Sequence, residues 1–143
     1  MFRHFHRPKM SLRTLLHRVR QIDAWLVAPA IIVVVVAELS HSSLVQALEF
    51  NVWDKLLHFT AYFGLALMTT IAVRADRRAL WWALFLVALG GVLEVVQGMT
   101  GRDCDIYDEL ANTLGVIAGL GIGWLGITLL KTRRIIEDQL PPS

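Results

Sequence analysis

The sequence predicts an all-α, polytopic membrane protein: four transmembrane helices packed as a small antiparallel bundle, preceded by a short cationic amphipathic helix. Three observations lead there. The 143-residue chain is 55% apolar with a mean hydropathy of +0.53, well above a soluble domain and of a length suited to one compact unit. Its apolar residues gather into four runs, 24–40, 56–73, 79–97 and 110–130, each long enough to cross a hydrocarbon core of about 30 Å. Its Lys and Arg alternate in number between successive connections, the pattern that orients spans in a bilayer.

Residues 1–20 form the basic segment. Arg3, Arg7, Lys9, Arg13, Arg18 and Arg20 stand there without an acid, while Leu12, Leu15, Leu16 and Val19 recur at helical spacing. Such a helix suits anionic headgroups at a membrane surface. A nucleic-acid arm is the weaker alternative, because charge alone is non-specific, and no nucleic-acid partner is expected. Met10 is an alternative start. The first apolar run resembles a signal peptide in its flanks, but Glu38-Leu39-Ser40-His41 makes a poor cleavage site. It is read as a retained span, with a kink at Pro29.

Residues 21–130 make the four-helix domain, and 131–143 a cytoplasmic tail ending in Pro141-Pro142-Ser143. The Arg74–Arg78 connection is so short that the second and third spans must form a tight hairpin. Trp81 and Trp82 then lie at the cytoplasmic interface, where amphipathic rings anchor. In the fourth span Ala111, Gly115, Gly119 and Gly123 recur every fourth residue and open one face to close helix approach. The stripe suits packing inside one chain, with Gly90 and Gly91 as a matching surface, or a contact between two copies in a homo-oligomer.

The sides can be assigned. The N-terminal segment, the 74–78 turn and the tail hold twelve Lys and Arg, whereas the other two connections hold only Lys55 and Arg102. Both termini are therefore expected in the cytoplasm of a bacterial inner membrane, with 41–55 and 98–109 on the far side. The single cysteine, Cys104, excludes an intramolecular disulfide framework.

Ionisable residues near hydrocarbon are costly and mark functional sites. Here they cluster at the extracytoplasmic ends of the last three spans. Asp54, His58 and Tyr62 are spaced i, i+4, i+8 and share a helix face, with Lys55 beside them. Asp54 also suits the positive end of a helix dipole, and His58 could equally satisfy a structural hydrogen bond. Glu94 and Gln97 end the third span; Glu94 should face the interior and meet Arg102, Lys55 or His58. Asp105, Asp108 and Asn112 form a stripe at i, i+3, i+7, opposite His58 and Glu94. Asp103, Cys104 and Glu109 fall off this stripe and read as loop or cap residues.

These residue types allow several chemistries. Carboxylates with a histidine could hold a divalent cation, Arg and Lys could clamp a phosphate or carboxylate, and acid with histidine could transfer protons. A hydrogen-bonded network that only joins the helix mouths is also open. No metal motif such as HExxH is present, and the sequence identifies no cofactor.

Four separated pieces together resemble the VanZ-like family of small bacterial membrane proteins. They are Asp54-Lys55-Leu56-Leu57-His58-Phe59-Thr60-Ala61-Tyr62, Glu94-Val95-Val96-Gln97, Gly101-Arg102, and Asp108-Glu109-Leu110-Ala111-Asn112-Thr113-Leu114-Gly115. The resemblance covers roughly residues 53–123. It implies four membrane helices with the polar motifs facing outward; the founding member is associated with low-level glycopeptide resistance, to teicoplanin. Three functions follow as expectations. The chain binds a polar headgroup at the outer leaflet of the cell envelope (a membrane lipid, a lipid-linked cell-wall intermediate or a glycopeptide), acts as an enzyme on lipid-linked substrates, or serves as a structural or partner-binding membrane protein.

Overall fold

The structure, a computed structural model, describes residues 12–40, 52–100 and 105–139. All the secondary structure among them is helical: α1 Leu12–Leu39, α2 Val52–Ala72, α3 Arg78–Met99 and α4 Ile106–Gln139. Three stretches are long and apolar enough to cross a membrane, Trp53–Ala72, Arg78–Met99 and Ile106–Ile136, while the apolar part of α1, Ala24–Leu39, is shorter. Each stretch matches a run read from sequence, shifted by a few residues at its ends. No break sets off a separate N-terminal helix between 12 and 39, and Pro29 lies within the continuous α1. Residues 1–11 lie outside the described residues.

Each helix turns a large share of its apolar side chains outward. Val33 on α1, Leu84 on α3 and Ile117 on α4 are all at least 60% exposed. Lipid tails solvate such a face as well as another helix would, so the exterior need not be polar. Inside, Tyr62, Leu65 and Ala66 of α2 pack with Leu86 of α3 and Val116 of α4, and Ala30, Ile31 and Val34 of α1 close over them.

The central pair is α2 and α4, which run in the same direction. Gly115 lies against the Phe59 carbonyl, Gly119 against the Phe63 carbonyl and Gly123 against Thr70. The stripe is therefore used within one chain, but its partner is α2. Gly90 instead faces Asn112, Glu109 and the Tyr62 hydroxyl, and Gly91 has only distant contacts with Glu109. The matching surface expected at Gly90 and Gly91 is thus corrected. The backbone of α2 supplies a flat wall into which the absent side chains of α4 allow it to settle.

Between α2 and α3 the chain reverses within a few residues. Val73, Arg74 and Ala75 donate their N–H groups to the Thr69, Ile71 and Thr70 carbonyls, closing the end of α2. Arg74 and Ala75 do so with φ of 61° and 50°, the left-handed region that disfavours a side chain. The Asp76 carboxylate then accepts the Arg78 N–H at 2.7 Å and opens α3. From α4, Lys131 Nζ donates to the Arg74 carbonyl and ties that helix to the turn. Trp81 is well exposed nearby, and Trp82 packs edge-on to Phe85.

Candidate functional site

At the end of the bundle opposite this turn, polar side chains from all four helices meet. The C-terminal ends of α1 and α3 contribute Glu38, Glu94 and Gln97, and the N-terminal ends of α2 and α4 contribute Asp54 to Tyr62 and Asp108 to Asn112. His58, Glu94, Gln97, Asp108 and Asn112 are buried, with Tyr62 fully enclosed beneath them.

His58 sits at the centre. Its Nδ1 lies 3.1 Å from Asn112 Oδ1. Asn112 Nδ2 donates to Glu109 Oε2 at 3.3 Å, and a carboxylate there requires the amide nitrogen on its side. That fixes the amide orientation, so Asn112 presents its oxygen and His58 Nδ1 carries the proton. The other nitrogen, Nε2, lies 3.7 Å from Asp54 Oδ1 one turn earlier on α2. On the Nδ1 side the Glu38 carboxylate stands at 3.7 Å.

Lys55 pairs with two acids at the start of α4. Its Nζ bridges Asp105 Oδ2 at 2.8 Å and Asp108 Oδ1 at 3.1 Å. The hydrogen bond from Lys55, followed by the Tyr107 N–H, holds the Asp105 carboxyl below the usual carboxylate range. The ammonium thus ties the start of α4 to the start of α2. Gln97 acts elsewhere: its Nε2 donates to the Glu38 carbonyl at 2.8 Å and satisfies one of the orphan carbonyls ending α1. Glu94 is 5% exposed, and its Oε2 has no hydrogen-bond partner among the described residues.

The structure places Asp54, Lys55, His58, Tyr62, Glu94, Asp105, Asp108 and Asn112 at one end of the bundle, while Gln97 at the same end turns its amide to the α1 terminus. Arg102, with Asp103 and Cys104, lies outside the described residues. Lys55 pairs with Asp105 and Asp108, and the charged groups acting on Glu94 include His58. Two residues of the site escape sequence reasoning. Glu38 is a lone acid in the last turn of an apolar helix, the same signal that singles out Glu94, yet its contacts to α2 and α3 span distances that no local pattern encodes. Glu109 reads as a loop or cap residue, but its carboxylate reaches Asn112 and Thr113 and sits against Gly90.

The VanZ/LLP1 family model matches residues 3–130. The chain belongs to the VanZ/LLP1 family. No curated protein and no solved structure matches it. Family membership and the three long apolar helices together make this VanZ-like chain a membrane protein. The match extends well beyond the motif-bearing residues 53–123, taking in α1 and with it Glu38.

The VanZ-like site is rich in negative charge. Glu38, Asp54, Glu94 and Asp108 surround His58 and Lys55, and Lys55 is shared with Asp105. Asp54, His58 and Asp108 each offer a ligand atom, all within 4.8 Å of one another. The arrangement can accept hydrogen bonds from ammonium and hydroxyl groups, gather a cation, or use His58 Nε2 as a base.

Proposed function

We propose that this VanZ-like protein crosses the bacterial cytoplasmic membrane four times, with both termini in the cytoplasm, and binds a polar headgroup at the outer leaflet. The observation that supports this most directly is the convergence of buried His58, Glu94, Asp108 and Asn112 at one end of an otherwise apolar bundle. Buried groups of this kind are expensive near hydrocarbon, and their position at the helix mouths suits a ligand whose tail stays in lipid. The Lys and Arg distribution favours that end lying outside the cytoplasm. Candidate ligands are an anionic lipid, a lipid-linked cell-wall intermediate and a glycopeptide. Acid oxygens would accept from hydroxyl and amine groups, while Lys55 and Arg102 meet the anionic part.

A second reading is an enzyme on lipid-linked substrates, favoured by one detail. Asn112 holds the proton on Nδ1, leaving His58 Nε2 free to act as a base. The test uses the purified full chain in nanodiscs, titrated with a fluorescent lipid-linked cell-wall intermediate. Binding should saturate and weaken in Asn112→Leu, which removes the group orienting His58. Equal binding by Asn112→Leu and wild type, or none above protein-free nanodiscs, would reject the headgroup reading. Turnover of the ligand would move the assignment to the enzyme. Reporter fusions placing residues 98–109 in the cytoplasm would reject the orientation.

A further inference from the structure

We propose that Asp54, His58 and Asp108 hold a divalent transition-metal ion, with the Glu94 carboxylate as an additional ligand or as acceptor for a metal-bound water. The proposal rests on the headgroup reading for its biological setting, since the ion would present a positive centre to a phosphate or carboxylate at the helix mouths.

The first support is the donor set. One imidazole nitrogen and two carboxylate oxygens lie within 4.8 Å of one another. Around an ion bound at about 2.1 Å, neighbouring ligands stand roughly 3–4 Å apart, so small side-chain rotations close the site. Mixed nitrogen and oxygen donors suit Zn2+ or Mn2+, whereas Ca2+ and Mg2+ prefer oxygen alone. Lys55 does not block the site. It engages Asp108 through Oδ1, and a carboxylate offers about four lone-pair positions.

The second support is independent of that cluster of donors. A metal-bound histidine typically gives its other ring N–H to an acceptor that fixes tautomer and ring angle. His58 has this arrangement already, with Nδ1 held by Asn112 and Nε2 directed toward Asp54. Asn112 is itself fully buried and oriented by Glu109. A purely structural network would more economically use both ring nitrogens at hydrogen-bond distance, yet Nε2 and Asp54 stand 3.7 Å apart.

The third support is Glu94. It is almost wholly buried with Oε2 unpartnered among the described residues, and the charged groups acting on it include His58 and Asp108. A buried carboxylate oxygen without a partner carries a large desolvation cost. An ion or its bound water supplies the missing partner. Among the described residues Lys55 alone pairs with Asp105 and Asp108, and an ion would add positive charge beside Asp54 and Asp108.

The test uses the full chain, purified in nanodiscs and stripped with a chelator, then titrated with Mn2+ and followed by electron paramagnetic resonance. The expected result is about one ion bound per chain, with spin-echo modulation from imidazole nitrogen that changes when histidine is supplied as the 15N form. Asp54→Asn and Asp108→Asn should weaken binding at least about tenfold, with circular dichroism showing retained helix. Asp76→Asn, in the turn at the far end, should bind as wild type does. Folded wild-type protein that binds no stoichiometric Mn2+, or Asp54→Asn that binds as tightly as wild type, overturns the site. The labelled-histidine readout needs no mutation, so a variant that fails to fold does not decide the matter. Phosphatidylglycerol and phosphatidylcholine nanodiscs, each with and without Mn2+, separate the two readings. Stoichiometric Mn2+ binding with no headgroup preference supports the metal site while rejecting the headgroup. A headgroup preference unchanged by chelator, with no bound Mn2+, does the reverse.

Discussion

Gly115→Ala should separate α4 from α2 and loosen the polar site with it. A Cβ at this position falls well inside contact distance of the Phe59 carbonyl oxygen, at 3.0 Å from Phe63 N and 3.1 Å from Phe59 C. All three obstructing atoms are backbone, so no rotamer change relieves them. Restoring ordinary contact requires the helices to part locally by on the order of 1 Å, a gap that forfeits a quarter to a half of each contact's attraction. Overpacking of this kind costs about 1–3 kcal/mol, and the upper half of that range is expected because helix backbone must move. The same shift would take His58–Asn112 and Lys55–Asp108, both 3.1 Å, beyond hydrogen-bond distance. Gly121→Ala on the same helix is the control, since a Cβ there meets nothing within 4 Å. Unfolding in mixed micelles, followed by circular dichroism, gives the two stabilities. If Gly115→Ala is as stable as Gly121→Ala, the close approach of α2 and α4 is not what packs this protein.

Other perturbations probe the remaining parts. Lys55→Met leaves Asp108 buried without its ammonium and should cost roughly 1–3 kcal/mol; Lys55→Met/Asp108→Asn should cost less than the two single changes together, and strict additivity would show the pair to be uncoupled. Arg74→Gly relieves a left-handed residue, a conformation that costs an L side chain roughly 1–2 kcal/mol, and should stabilise the hairpin by about 1 kcal/mol once the glycine's added unfolded-state freedom is set against it; a loss of thermal stability in detergent would contradict this. At Asp76 the Arg78 backbone N–H, then the Arg78 side chain, hold the carboxyl below its usual range. A depressed carboxyl stabilises the fold above its unfolded value of about 3.9, and that contribution is lost as pH falls through the lower folded value. The turn should thus be insensitive to pH from about 5 to 8, and a carboxyl midpoint by 13C resonance at or above the usual value would refute the contact.

Much of this molecule is legible without coordinates. Hydropathy suffices for the three long spans and for the shorter apolar run of α1, because burial of a long apolar stretch needs no tertiary partner to be recognised. Helical periodicity puts Asp54, His58 and Tyr62 on one face and Asp105, Asp108 and Asn112 on another, since side-chain direction within a helix is a local property. Charge placed near hydrocarbon marks Glu94 for the same reason.

Periodicity names a face but neither the helix opposite it nor the register along that helix. That is why the glycine stripe reads as matched to Gly90 and Gly91, when the flat backbone of α2 at Phe59 and Phe63 is what accepts it. It is also why Gln97 reads as a pocket residue although its amide goes to the Glu38 carbonyl, fifty-nine positions away in sequence. Lys55 has several acids within reach and takes Asp105 and Asp108 because α2 and α4 run together at that end. Residue order alone specifies the apolar helices and the faces on which their polar residues stand. Helix packing is what brings Glu38 and Glu109 into the site, sets Asn112 against His58 Nδ1 and leaves Glu94 with a buried oxygen to satisfy. Those outcomes depend on distances between helices, and such distances are set by packing across the whole bundle.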